Sequence, residues 1–327
     1  MRKNAFLILS TDLFQYSRKY RRMLAHRSLN AISILLILLL SGCSKEFIGI
    51  ESANTVTNPS AYVNKIFDYQ YGPGQHASFI SPTEKANDFI GEPWTKNKSF
   101  ISLGGWGGYV IAGFNHAVLN TNGPDLAVFT QPSVSSEPGI VYVMEDINND
   151  GLPNDGTWYE LRGSEYSNPE TIHNYEVTYF KPGLSGYVTW KDNLGKTGSL
   201  VPGFGNDNWW WSGYGVKSSI TFTGERLPDA YENTSKDQAV ELWLQRSGLF
   251  QSGYAECYYN ADYNEKLKAN MLDISSAVDA SGKPLNLTKI NFIKVQSSVF
   301  QIAGWLNEVS TEISGAADIH FLDKNSY

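Results

Sequence analysis

The chain has 327 residues, with 26 Lys and Arg against 33 Asp and Glu and a formal net charge of −7. An acidic chain without a Lys/Arg cluster beyond its N-terminus cannot displace counterions from phosphates, which excludes a nucleic-acid surface. Only two cysteines, 43 and 257, are present, so no disulfide framework holds the fold and the core must rest on apolar burial.

Residues 31–42 (AISILLILLLSG) form an uncharged apolar run that ends in Leu40-Ser41-Gly42 before Cys43. A bilayer core of ~30 Å takes a helix of about 20 apolar residues, so this run is too short to span it. With basic residues ahead of it, the run has the proportions of a signal-peptide h-region. Small residues directly before a cysteine resemble the lipobox of bacterial lipoproteins. That resemblance implies that Cys43 becomes the first mature residue, diacylated on sulfur with palmitate-like chains and acylated on its amine. Residues 1–30 are longer than an export leader requires, and Met23, just after Arg18-Lys19-Tyr20-Arg21-Arg22, offers an alternative start. Removing residues 1–42 takes away seven basic residues and one acidic one, leaving 19 against 32 and a net charge of −13.

Residues 43–60 are polar and read as a tether. Ser44-Lys45-Glu46 lacks the aspartate at the second mature position that resembles an inner-membrane retention signal. Outer-membrane anchoring is therefore expected, with display on the cell surface. From residue 61 to 327 a single domain is expected. Nine Trp, 19 Tyr, 16 Phe and 29 Gly favour strands and tight turns over helices.

Strands are predicted at 99–103, 108–114, 125–130, 139–144, 157–162, 175–180 and 186–190, then at 218–222, 239–245, 254–259, 289–296, 311–313 and 318–322. One modest helix is predicted at 263–269. Helices do not alternate with strands, so the expected fold is all-β, an antiparallel two-sheet β-sandwich or jelly roll with long loops. The glycine run Gly104-Gly105-Trp106-Gly107-Gly108 lacks the Lys-Ser/Thr of a phosphate loop and is expected to let a strand bend and pack closely.

The segment 146–155 (DINNDGLPND) places Asp146, Asn148 and Asp150 at alternate positions before Gly151, the D-x-[DN]-x-[DN]-G pattern of a calcium loop. Calcium takes six to eight hard oxygens, and alternate side chains of a curling loop converge on one point. The carbonyl of Leu152 is an expected ligand, and Asp155 or Glu160 could close the shell, because Thr157 stands where an EF-hand has its bidentate glutamate. Strand-like flanks make this a hairpin cap with a structural Ca2+. The alternative is a polar Asn/Asp-Gly turn without metal.

Trp209, Trp210, Trp211 and Tyr214 form the conspicuous aromatic cluster. On an alternating strand the three indoles cannot share a face. Either one of them is exposed as a ligand platform, or the cluster plugs the end of the sandwich. Tyr258, Tyr259 and Tyr263 are read as core and hairpin rim, Cys257 as a buried thiol, and Trp305 as core. Glu308 and Glu312, four apart, share a strand face that is either solvated or able to hold a second cation.

The runs SLGGWGGYVIAGFNHAVLNTNGPDLAVF, SSEPGIVYVMEDINNDGLPNDGTWYELRGSEY, YEVTYFKP, INFIKVQSSV and GWLNEVSTEI resemble a family of secreted cell-surface lipoproteins of Bacteroides-type bacteria. Gly123, Asp125, Leu126, Val128 and Phe129 carry one motif, and Asp146, Asn148, Asp150 and Gly151 the next. Some members bear PKD-like domains, and some neighbour vitamin B12 uptake genes. The resemblance implies a sandwich akin to carbohydrate-binding modules that binds an extracellular nutrient. Asn115-His116 stands where relatives often show Asp-His.

Catalytic signatures are lacking. The five histidines show no H-x-H or H-E-x-x-H spacing, and no G-x-S-x-G elbow occurs. Glu137, Glu160 and Glu165 are the candidates for a glycosidase carboxylate pair. The expected function is non-catalytic capture of a glycan or corrinoid for an outer-membrane transporter. The alternatives are a structural or adhesive surface module and a glycoside hydrolase.

Overall fold

In the computed structural model the chain divides into two units, Met1–Thr55 and Val56–Tyr327. The residues described are 58–76, 83–93, 99–130, 135–183, 186–201, 207–237, 240–258, 260–304 and 307–323, all in the second unit. Cys43, the leader and most of the tether lie outside them. Among the described residues no helix is long and apolar enough to cross a membrane.

The strands in chain order are β1 (Lys65–Gln70), β2 (Ile101–Ser102), β3 (Tyr109–Leu119), β4 (Leu126–Thr130), β5 (Gly139–Met144), β6 (Tyr159–Leu161) and β7 (Ile172–Phe180). Next come β8 (Thr189–Asp192), β9 (Thr197–Ser199), β10 (Ser219–Arg226), β11 (Tyr231–Asn233), β12 (Trp243–Gln245) and β13 (Tyr254–Ala255). The rest are β14 (Tyr263–Asn264), β15 (Ala269–Leu272), β16 (Ala277–Val278), β17 (Lys289–Ser297), β18 (Ile302–Ala303), β19 (Asn307–Glu308) and β20 (Glu312–Asp318).

The fold is all-β, with antiparallel sheets. One sheet runs β1-β3-β17-β5-β6-β16 with β13 added on β5; a second runs β14-β15-β4-β20-β2; a third runs β10-β7-β8-β9. Two short ribbons, β11-β12 and β18-β19, complete it. Strand β5 shows how the sequence sets these layers. All six of its residues are buried, and successive side chains of a strand point to opposite faces. Val141 and Val143 join the core shared with Val110, Ile293, Leu126, Val128 and Ile313, from β3, β17, β4 and β20. Ile140 and Tyr142 point the other way, into a second cluster with Leu227, Tyr231, Phe250, Tyr254 and Val299. Covered on both sides, β5 reads as a continuous apolar run instead of an alternating one.

The glycine run behaves as expected of a close approach. Gly72 and Gly104 form a parallel bridge, and a Cβ on Gly108 would overlap the carbonyl oxygen of Leu103. Three local expectations are corrected. Residues 263–269 form no helix. Despite their helix formers, Tyr263 pairs with Asn270 across a β14-β15 hairpin, with Lys268 at φ 55°. Asn270 then accepts from Cys257 N–H at 3.1 Å and donates to Cys257 O at 2.7 Å, so tertiary bonding overrides propensity. The run Asp207–Tyr214 is a 3-10 segment and not a strand. Residues 318–322 likewise form no separate strand; β20 ends at Asp318, whose Oδ1 caps a 3-10 turn by accepting from His320 N–H at 2.9 Å.

Candidate functional site

A recessed cavity is lined by residues that lie far apart in sequence. The glycine turn between β2 and β3 brings Gly105 and Trp106, β7 brings Tyr179, and Leu200 follows β9. Val299, Phe300 and Gln301 come from the segment after β17, and Ile302, Glu308 and Val309 from the β18-β19 ribbon, with Pro73 opposite. It encloses about 10 Å³ open to the centre of a water-sized sphere, which is about the space one water needs. Trp106 is buried, with its ring edge-on to Tyr175 at 5.0 Å between centroids.

Glu308 is held into this cavity by the backbone around it. Its Oε1 accepts from His76 N–H at 2.7 Å. A Cβ at Gly74 would overlap that carboxylate, so glycine is what lets the chain wrap it. Asn307 sits at φ 61° and donates to Gln75 Oε1 at 2.9 Å, fixing the ribbon that carries Glu308. Most polar side chains of the lining are already engaged. Tyr179 donates to Trp106 O at 3.0 Å. Gln301 accepts from Tyr231 N–H at 3.0 Å and donates to Tyr231 O at 2.7 Å. Of the lining side chains, Trp106 Nε1 and Glu308 Oε2 are among the buried atoms without a hydrogen-bond partner among the described residues.

Behind the cavity, Glu308 joins a group of carboxylates. Glu137 and Glu256 are buried, and Glu312 is half-buried. Ser310 N–H donates to Glu137 at 2.6 Å and Ser310 Oγ donates to Glu312 at 2.6 Å, while Glu312 N–H donates to Glu256. None of the four forms a salt bridge among the described residues. Burial, and then repulsion from Glu312, push Glu137 and Glu256 well above the usual carboxylate range. Burial lifts Glu308 to about 8 and Glu312 to about 7. The group therefore keeps protons near neutral pH, because isolated charges are too costly inside a protein. The Glu308/Glu312 face is thus not solvated. Two glutamates four apart in Glu308-Val309-Ser310-Thr311-Glu312, with no basic residue between them, were the available signal.

The 146–155 loop caps the β5-β6 hairpin, as its flanks indicate. Asp146 accepts from Asp150 N–H at 3.1 Å and from Gly151 N–H at 2.9 Å, with Gly151 at φ 72°. Asn148 Oδ1 accepts from Asp150 N–H at 2.9 Å. Asp150 Oδ2 accepts from the amides of Asn148 and Asn154, at 3.1 and 2.9 Å. Its carboxyl is held below its ordinary range, first by the Asn154 amide. Asp155 turns back to accept from Ile147 N–H at 2.6 Å, while the carbonyl of Leu152 accepts from Asn154 N–H at 2.9 Å. Asp146, Asn148, Asp150 and Asp155 thus share one turn of chain. Among the described residues no three acidic, histidine or cysteine side chains are drawn closely enough round one point to hold an ion as they stand. Glu160 is not part of this loop. It lies buried in β6, lifted to about 8 by burial and then by Glu225.

The aromatic cluster is corrected as a ligand platform. Trp210, Trp211 and Tyr214 are 1%, 2% and 4% exposed, and the side chain of Trp209 lies outside the described residues. Trp211 Nε1 donates to Lys217 O at 2.9 Å, and Tyr214 donates to the carbonyl of Tyr71. Wound as a 3-10 turn, the run sets Trp211 edge-on to Tyr214 at 4.8 Å and Tyr214 against Tyr71 at 5.0 Å, which fits the plug of the two alternatives. Of the three glutamates named for a carboxylate pair, Glu137 belongs to the group with Glu308, Glu256 and Glu312, while Glu160 and Glu165 both act on the Tyr254 hydroxyl. Glu165 is buried as a structural acceptor for Phe250 N–H at 2.9 Å and Asn168 Nδ2 at 2.7 Å. Cys257 is buried, and burial first pushes its thiol well up. Tyr258 is buried and stacks edge-on with Tyr263 at 5.2 Å; Tyr259 and Trp305 lie outside the described residues. His116 is braced on both sides, 3.0 Å from Asn115 Oδ1 and 2.9 Å from Asp318 Oδ2. No protein-family model matches the chain, and no curated protein compared with it matches either.

Proposed function

We propose that the chain is a non-catalytic outer-membrane lipoprotein, tethered through Cys43, whose sandwich is braced by calcium and captures an extracellular ligand for uptake. The observation that carries the calcium reading is the loop itself. Asp146, Asn148, Asp150 and Asp155 bring side-chain oxygens to one turn of chain, and Asp150 Oδ2 accepts from the Asn148 and Asn154 amides at 3.1 and 2.9 Å. These residues fit calcium, with Asp146, Asn148 and Asp150 as side-chain ligands, Leu152 through its carbonyl, and Asp155 closing the shell. The ion would supply rigidity to the β5-β6 end and no chemistry.

The test is thermal unfolding of the chain with millimolar calcium and with a chelator. A midpoint raised by calcium supports the reading, since a ligand bound only to the folded state stabilises it by mass action. Identical midpoints remove calcium from it. A second reading, a structural or adhesive surface module, is favoured by the burial of Trp210, Trp211 and Tyr214. It is distinguished by the absence of any saturable small ligand. Release of products from a polysaccharide would contradict both and support a glycoside hydrolase.

A further inference from the structure

Topology brings four exposed apolar side chains to one end of the sandwich. Strands β3 and β5 both run antiparallel to β17, so their last residues, Leu119 and Met144, lie at the same end of that sheet. Leu119 is the register partner of Lys289, whose ammonium pairs at 3.4 Å with Glu145, two residues ahead of Ile147. The 146–155 loop therefore starts beside Leu119, and it carries Ile147 and Leu152. Phe321 follows β20, whose last residue, Asp318, pairs with Leu126 at the start of β4. The short segment from Asn120 to Asp125 links that point to the end of β3, and the Phe321 ring lies 4.8 Å from that of His116. Ile147 is 69% exposed, Leu119 57%, Phe321 50% and Leu152 42%.

The chain enters the domain at this same end. Ser60 N–H donates to Asn115 Oδ1 at 3.2 Å, next to His116, and Asp318 N–H donates to Ala61 O at 2.7 Å. Fifteen residues lead from Cys43 to Asn58, the first described residue. Fully extended they span at most about 50 Å. Acyl chains on Cys43 would keep the entry point within that reach of a bilayer. A link this short raises the effective concentration of the surface to the millimolar range, so a few apolar side chains suffice where a free protein would need a broad patch.

We infer that this end of the sandwich docks on the lipid surface that carries the Cys43 chains, seating Leu119, Ile147, Leu152 and Phe321 between headgroups and acyl chains. The four project from separate loops, with the polar side chains of Thr121, Asn122, Asn148 and Asn154 between them. Such a mixture suits a lipid interface, where apolar tips enter and polar groups stay wet. The acids of the 146–155 loop oppose an anionic surface, so the lipid expected here is zwitterionic. The inference rests on the tether reading and is independent of the calcium one.

The experiment places an environment-sensitive fluorophore on an introduced thiol of the acylated full chain. Cys257 is buried and Cys43 would carry lipid, so Asn122→Cys, at the docking end, offers the reactive thiol. Ile302→Cys is the control, exposed and past the other end of β17 near Gly105 and Trp106. Each protein is reconstituted into phosphatidylcholine–phosphatidylethanolamine vesicles with and without a spin-labelled quencher lipid, in calcium and in chelator. The expected result is a blue shift with lipid quenching at residue 122 and solvent-like emission at residue 302. Serine at all four apolar positions should abolish that quenching while the chain still floats with the vesicles. Quenching at 122 in either series supports docking, whichever way the calcium reading falls. Flotation reports the tether by itself. A chain that floats with solvent-like emission at 122 overturns the docking and spares the tether; a chain that does not float overturns both. Equal quenching at 122 and 302, or quenching unchanged by the four serines, would also overturn it. A blue shift without lipid quenching would give the face to a second protein copy and overturn it too.

Discussion

Glu308→Gln should flatten the pH dependence of folding. In the folded chain burial raises Glu308 from its ordinary 4.5 to about 8. Between those values the folded state keeps a proton that the unfolded state has released. Stability attached to this group is therefore fully present at low pH, is lost as pH rises through the window, and levels off above about 8. One retained proton corresponds to a slope of about 1.4 kcal/mol per pH unit, with an upper bound on the order of 5 kcal/mol across the window. Glu312, lifted to about 7, adds to the wild-type slope, as do Glu137 and Glu256. The amide of Gln can still accept from His76 N–H but does not titrate. Guanidinium unfolding from about pH 5 to pH 9 should show the wild type losing stability with pH. The Glu308→Gln slope should be shallower by close to one proton, and the variant should be the more stable protein at the alkaline end. Parallel curves, or a wild type that gains stability toward pH 9, would refute the buried, proton-holding carboxyl.

Two further substitutions test the packing. Gly108→Ala should destabilise by about 3 kcal/mol or more, read as a lower denaturant midpoint, because its Cβ overlaps the Leu103 carbonyl and backbone must move. Trp210→Ala should cost about 3–5 kcal/mol of stability, as expected for a buried indole. A Trp210→Ala protein of normal stability would place that ring outside the core.

The layers of the fold were legible because strand pattern is local. The predicted 139–144 strand matches β5, and 289–296 and 125–130 fall within a residue of β17 and β4. The glycine run and the hairpin loop were equally readable, since each follows from positions a few residues apart. Short pairings such as β16 and the β18-β19 ribbon carry too few residues to show alternation. The 207–214 segment misled because three adjacent indoles imply opposing faces only if the backbone is extended; a 3-10 turn seats Trp210 and Trp211 inside together. Residues 263–269 misled through helix formers overruled by the side chain of Asn270. The Trp106–Glu308 cavity was out of reach, because Gly74, Trp106, Tyr179 and Glu308 meet only through sheet topology. Glu308 and Glu312 were visible as acids, but their burial beside Glu137 and Glu256, which flank β5 and β13, is set by the sheet topology.

Calcium titration of the chelated chain by calorimetry bears most directly on the proposed function. One ion per chain is expected, with binding abolished in an Asp146→Ala, Asp150→Ala double variant that retains its fold. No heat of binding at millimolar calcium, or an unchanged isotherm in that variant, would contradict it.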